Sequence, residues 1–116
     1  MVVIMNINLR KKDVTKNFNF IISVGYCDLW YLLKGLDRMG YTCGVYGWNA
    51  DIYKIDNVAI VTGYRPFGNI QSDYKLNKKY NEKARKIFED NLLKWDVKTT
   101  KINKLLNKYI KETIEK

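Results

Sequence analysis

The sequence predicts an α+β fold: a small antiparallel sheet of three to five strands with one short inserted helix, followed by two C-terminal helices. Three observations predict it. Apolar residues alternate over 17–24, which is the period of a strand, and two short runs, the second β-branched and apolar throughout, meet at the turn pair Asp56-Asn57. The spacing becomes helical after residue 72, and the single proline, Pro66, stands just before that change. At 116 residues the chain reads as one domain, with a sheet part over about 1–69 and a helical part over about 72–116. A domain of this length buries about two-thirds of the surface of its unfolded chain without help from metals or disulfides.

The elements follow in order. Residues 2–9 alternate weakly, with Met5, Ile7 and Leu9 on one side, and suggest a first strand before the charged connector 10–16. In 17–24, Phe18, Phe20 and Ile22 face one way, and Gly25 ends that strand. Leu29, Leu32, Leu33 and Leu36 then form the stripe of a short helix over 27–36, with Asp28 placed to favour its N-terminal dipole. Trp30 and Tyr31 fall off that stripe, so they either reach sideways into the core or lie at an interface. Tyr41 to Trp48 reads as a strand bent at Gly44 and Gly47. Ala50 to Ile55 and Val58 to Gly63 form a hairpin, because Asp56-Asn57 tolerates the positive φ of a tight turn. VAIVT, apolar on both faces, belongs in the middle of the sheet. Tyr64 to Asn69 is a rigid loop at the sheet edge, since Pro66 fixes φ and drives Arg65 into an extended conformation.

The helical part opens at Ser72 or Asp73 as cap. Its stripe is Leu76, Tyr80, Ala84, Ile87, Phe88 and Leu92, and Trp95-Asp96-Val97 closes or bends this helix. A second helix over about 98–115 carries a stripe from Ile102 to Ile114. Two such stripes offer more apolar surface than one small sheet covers, so a homo-oligomer is expected.

Composition narrows the function classes. Mean hydropathy is −0.38, and no apolar run approaches the roughly 18 residues of a membrane span. The N-terminus reverses the order of a secretory signal, apolar before basic, so a cytoplasmic protein is expected. Cys27 and Cys43 are too few for a disulfide scaffold and read as reduced core residues. With no histidine they make no standard zinc site, and acid-base work near neutral pH would fall to a shifted carboxylate, lysine or tyrosine. No phosphate-binding glycine loop, dinucleotide fingerprint or Ser-His-Asp set is present; the expectation is a protein with neither enzyme motif nor cofactor. Net charge is +9, of which residues 74–116 hold +7. Such a surface attracts phosphates and polyanions, unless it is only a lysine-coated solvent face of AT-rich codon usage.

The segment 41–68 concentrates site-like chemistry: four of the seven glycines, the only proline, a tryptophan and an arginine. Tyr46, Trp48, Asn49 and Asp51, with Tyr64, Arg65 and Phe67, are the candidate ligand-binding residues. Rings stack on bases, Asn and Asp read donor and acceptor edges, and Arg grips phosphate in two-pronged fashion. The plain alternative is that these rings fill the core while Arg65 pairs with Asp51 or a carbonyl. An enzyme using Asp51 with a tyrosine is a further, weaker alternative.

GYCDLWYLL, YTCGVYGWNADIY and VAIVTGYRPFG, in that order over about 17–69, resemble a family of small proteins carried by phages, prophages and mobile elements of Clostridia-like bacteria. The resemblance implies an accessory factor that blocks bacterial immunity by binding something. It also implies that the spacer Leu36-Asp37-Arg38-Met39 lies outside the site. The expectation is a non-enzymatic anti-defence protein of the bacterial cytoplasm that sequesters a phosphate-bearing nucleotide signal. The alternative is a basic inhibitor of a nucleoprotein immune complex, or an RNA- or DNA-binding protein acting through its helix lysines.

Overall fold

The structure is a computed structural model that describes residues 18–25, 27–39, 51–63 and 69–115, with the backbone of 42–44. The first strand expected over 2–9, residues 41 and 45–48 of the strand expected over 41–48, the burial expected of Cys43, and residues 64–68 of the loop expected over 64–69 lie outside the described residues.

The order of elements is β1 (Phe20–Val24), α1 (Trp30–Met39), β2 (Thr42–Gly44), β3 (Asp51–Ile55), β4 (Val58–Thr62), β5 (Ile70–Gln71), α2 (Tyr74–Phe88) and α3 (Trp95–Ile114). This is the α+β class that the sequence predicts, with one helix inserted after the first strand and two helices at the end. The five strands among the described residues lie in the order β2-β3-β4-β1-β5. β2, β3 and β4 are antiparallel neighbours, with Asp51 opposite Thr62 and Ile55 opposite Val58. β1 is different: it lies between β4 and β5 and runs parallel to both, Phe20 pairing with Val58 and Ile22 with Ile70. The sheet is therefore mixed rather than antiparallel throughout. The cause is α1, which carries the chain back to the starting end of β1, so that β2 and then β4 run in its direction.

The hairpin turns at Asp56, whose φ of 49° lies in the left-handed region that Asp tolerates. β4 is buried along its whole length, which is why VAIVT is apolar on both sides. β5 has two residues, too few for any periodicity, and it is fixed by its neighbours. The Ile21 N–H donates to Asn69 Oδ1 at 2.9 Å, and the Ser72 N–H donates to the Ser23 carbonyl at 3.1 Å.

One sheet face, with Ile22, Val24, Tyr53, Val58 and Ile60, packs under the three helices. Each fully buried Leu or Ile there contributes about 1.5–3 kcal/mol. The leucine stripe of α1 enters this core as expected, and α1 crosses α3 closely at Gly35. A Cβ on Gly35 would stand 2.2 Å from Ile102 Cγ2, so glycine is required by the approach of the two helices. The opposite sheet face, with Ile21, Ile52, Ala59 and Val61, is buried as well.

Asp73 caps α2 by accepting from the backbone N–H groups of Lys75 at 2.8 Å and Leu76 at 3.2 Å. Three details differ from the sequence reading. α2 ends at Phe88, so Leu92 is 94% exposed and belongs to no stripe. Trp95 opens α3 instead of closing α2. Cys27 is exposed, not a core residue, in a left-handed turn with φ 68°. Among the described residues no helix is long and apolar enough to cross a membrane.

Candidate functional site

Of the seven candidate residues, Asp51 alone lies within the described chain; Tyr46, Trp48, Asn49, Tyr64, Arg65 and Phe67 lie outside the described residues. Asp51 opens β3 and faces the helix side of the sheet. There it lines a cavity of about 190 Å³ together with Tyr53, Thr62, Trp30, Leu33, Lys34, Asp37 and Cys27.

Alternation builds the floor. Asp51 and Tyr53 share one face of β3, and Thr62 stands opposite Asp51 on β4, its hydroxyl accepting from the Asp51 N–H at 3.4 Å. α1 builds the wall. Trp30, Lys34 and Asp37 recur at i, i+4 and i+7, one stripe beside the leucines. Lys34 Nζ rests 4.6 Å from the centre of the Trp30 ring, a cation on an aromatic face.

The electrostatics follow from two carboxylates near one phenol. Burial, then the charges of Asp37 and Asp51, then a hydrogen bond from the Tyr53 hydroxyl to Asp37, all push the Tyr53 phenol well above its usual range. Tyr53 therefore stays protonated at neutral pH and donates; it is no base. Among the described residues the cavity thus offers carboxylate acceptors, a hydroxyl and an indole, with Lys34 as the one cation. Among the described residues no group of His, Cys, Asp and Glu is arranged to hold a metal ion.

The turn between β1 and α1 lies at the same end of the sheet, where Cys27 lines the cavity with Asp51 and Thr62. Asp28 turns its carboxylate back to accept from the Gly25 N–H at 3.2 Å, so it braces the turn after β1. A smaller polar cleft of about 150 Å³ lies behind it, lined by Cys27, Asp28, Tyr74, Asn77, Lys78 and Asn81. The sequence reading missed Trp30, Lys34 and Thr62 as wall residues. It placed Asp37 outside the site, whereas Asp37 lines the cavity. The signal available was the second stripe of α1, polar and aromatic where the first is leucine.

No protein-family model matches the chain, and neither does any curated protein or solved structure. What the site does must be argued from its chemistry alone.

Proposed function

We propose that the chain is a non-enzymatic binding protein of phage type, acting in the bacterial cytoplasm, that captures a phosphate-bearing nucleotide signal and so disarms a defence response. One observation carries this reading. Asp51 and Thr62 pair across β3 and β4 at the cavity wall, and they are the strand ends adjoining segments 45–50 and 64–68, the two that contain the other six candidate residues. A volume of about 190 Å³ accommodates one ring system rather than a whole nucleotide. The carboxylates of Asp37 and Asp51 accept from amino or hydroxyl groups of a base or ribose and repel phosphate. The phosphate is therefore assigned to the guanidinium of Arg65 and not to these carboxylates.

Thermal unfolding with a panel of cyclic and linear nucleotides tests the reading. A ligand at 100 times its Kd adds about 2.7 kcal/mol of stability, and Asp51→Asn and Arg65→Ala each weaken the effect about tenfold or more. If no nucleotide raises Tm, the reading fails.

The charge of the helices favours a second reading, a basic inhibitor of a nucleoprotein immune complex or a nucleic-acid binder. The helix residues Lys75, Lys79, Lys83, Lys86, Lys101 and Lys104 are all exposed. That reading expects affinity to fall steeply with salt and to be lost on reversing several of these charges, with Arg65→Ala silent.

A further inference from the structure

Four aromatic side chains run in unbroken contact from the start of α1 to the start of α3. Trp30 meets Tyr31 edge-on with ring centres 4.6 Å apart, Tyr31 lies 6.1 Å from Phe88, and Phe88 lies 5.9 Å from Trp95. The inner pair, Tyr31 and Phe88, is partly buried against the core, which anchors the row. The outer members are the indoles, and both are open: Trp30 is 43% exposed and Trp95 is 45% exposed. Each carries a cation supplied by α1. Lys34 Nζ stands 4.6 Å from the Trp30 ring centre, and the Arg38 guanidinium stands 5.2 Å from that of Trp95. Trp30, Lys34 and Arg38 follow one another at i, i+4 and i+8, so a single helix face sets both pairs.

Core packing accounts for the inner pair but not for the two exposed indoles, because the buried side of α1 is the leucine stripe. From this row we infer that the face between α1 and Trp95 binds single-stranded nucleic acid, with bases stacked on the exposed indoles and phosphates held by Lys34 and Arg38. Flat rings accept any base, and a guanidinium accepts phosphate through two parallel hydrogen bonds. A chain of net charge +9 draws a polyanion toward that face. A duplex keeps its bases stacked on one another and offers the rings nothing. A second copy of the chain is disfavoured by charge: a two-fold contact would press this cationic patch, with Lys34 and Arg38, against the same patch on another chain of +9. Trp95 and Arg38 stand outside the cavity wall, so this surface is separable from the proposed nucleotide site, with which it shares Trp30 and Lys34.

The test is fluorescence anisotropy of labelled oligo(dT), oligo(U) and a duplex of equal length against the full chain and its variants. The expected result is preference for single strands and affinity that falls with salt, with Trp95→Ala weakening binding about tenfold or more. Arg38→Gln weakens binding and flattens the salt dependence. It decides the matter if circular dichroism shows that Trp95→Ala fails to fold. Absence of binding, equal binding of duplex, unchanged affinity in both variants, or displacement by polyglutamate as readily as by oligonucleotide would overturn the inference. So would a concentration-dependent dimer abolished by Trp95→Ala, which assigns the face to a second copy.

Discussion

Gly35 shows how much one side chain can decide. Its missing Cβ is what lets α1 and α3 touch, since a methyl there would lie 2.2 Å from Ile102 Cγ2. Gly35→Ala gains helix propensity yet overpacks the crossing, and is expected to destabilise by about 1–3 kcal/mol. Combining it with Ile102→Ala should recover part of the overlap term, giving a coupling energy visible in urea-unfolding midpoints. The phenols set a second residue-scale expectation. Burial, then the hydrogen bond to Glu112 and the charge of Glu112, push Tyr80 from its ordinary 10.0 up to about 12. The folded value lies above the unfolded one, so this stability is fully present below pH 10 and is lost as pH rises toward 12. Burial foremost holds the Tyr109 phenol high as well, in the same direction. Ultraviolet titration should therefore find these tyrosines ionising only as the fold is lost, and Tyr80→Phe should reduce the alkaline loss. Normal titration of all tyrosines in the folded protein would contradict this. At this scale the sequence was most opaque. Asp51 was legible because its motif stands out in composition, whereas Trp30, Lys34 and Asp37 become neighbours of Asp51 only once α1 lies across the sheet.

The elements themselves were legible wherever periodicity acts. The strand read over 17–24 is present as Phe20–Val24, though Ile21 to Val24 are all buried instead of alternating, and the helix read over 27–36 is present as Trp30–Met39; the leucine stripe, the hairpin at Asp56-Asn57 and the cap at Asp73 stand where local physics puts them. Asp73→Ala should cost α2 about 1 kcal/mol and Asp73→Asn nearly nothing, which Tm measurements on the two variants check. Strand direction was not legible, because alternation is the same whichever way a partner runs. The end of α2 was hidden for another reason. Leu92 continues the stripe by spacing alone, but its N–H donates to Asp90 Oδ1 at 3.0 Å, and Lys98 Nζ donates to the Phe88 carbonyl at 2.7 Å. These two contacts turn the chain and cover the helix end before the stripe runs out. At the hairpin, Asp56→Val should cost about 1–2 kcal/mol, because a β-branched residue resists the left-handed region, while Asp56→Gly should cost little. Equal losses in the two would remove backbone conformation as the explanation.

For the whole molecule, charge and topology pull in different directions. The +7 carried by residues 74–116 favours anionic partners at long range, yet the cavity wall at Asp51 holds two carboxylates. Added salt should therefore weaken oligonucleotide binding steeply and the nucleotide-induced rise in Tm only slightly, a comparison that separates the two surfaces in one titration. Topology bears on how the chain is made. β1 is the earliest of the described strands to leave the ribosome, and both its partners, β4 and β5, are synthesised after residue 57. Until then β1 has neither partner available, although α1 and the strands β2 and β3 are already complete. Such long-range parallel pairing should place refolding in the slow, millisecond-to-second range typical of non-local folds. The emerging chain therefore holds an unsatisfied apolar strand through about a third of its synthesis, and chaperone dependence should be set by β1 rather than by the lysine-rich helices that follow.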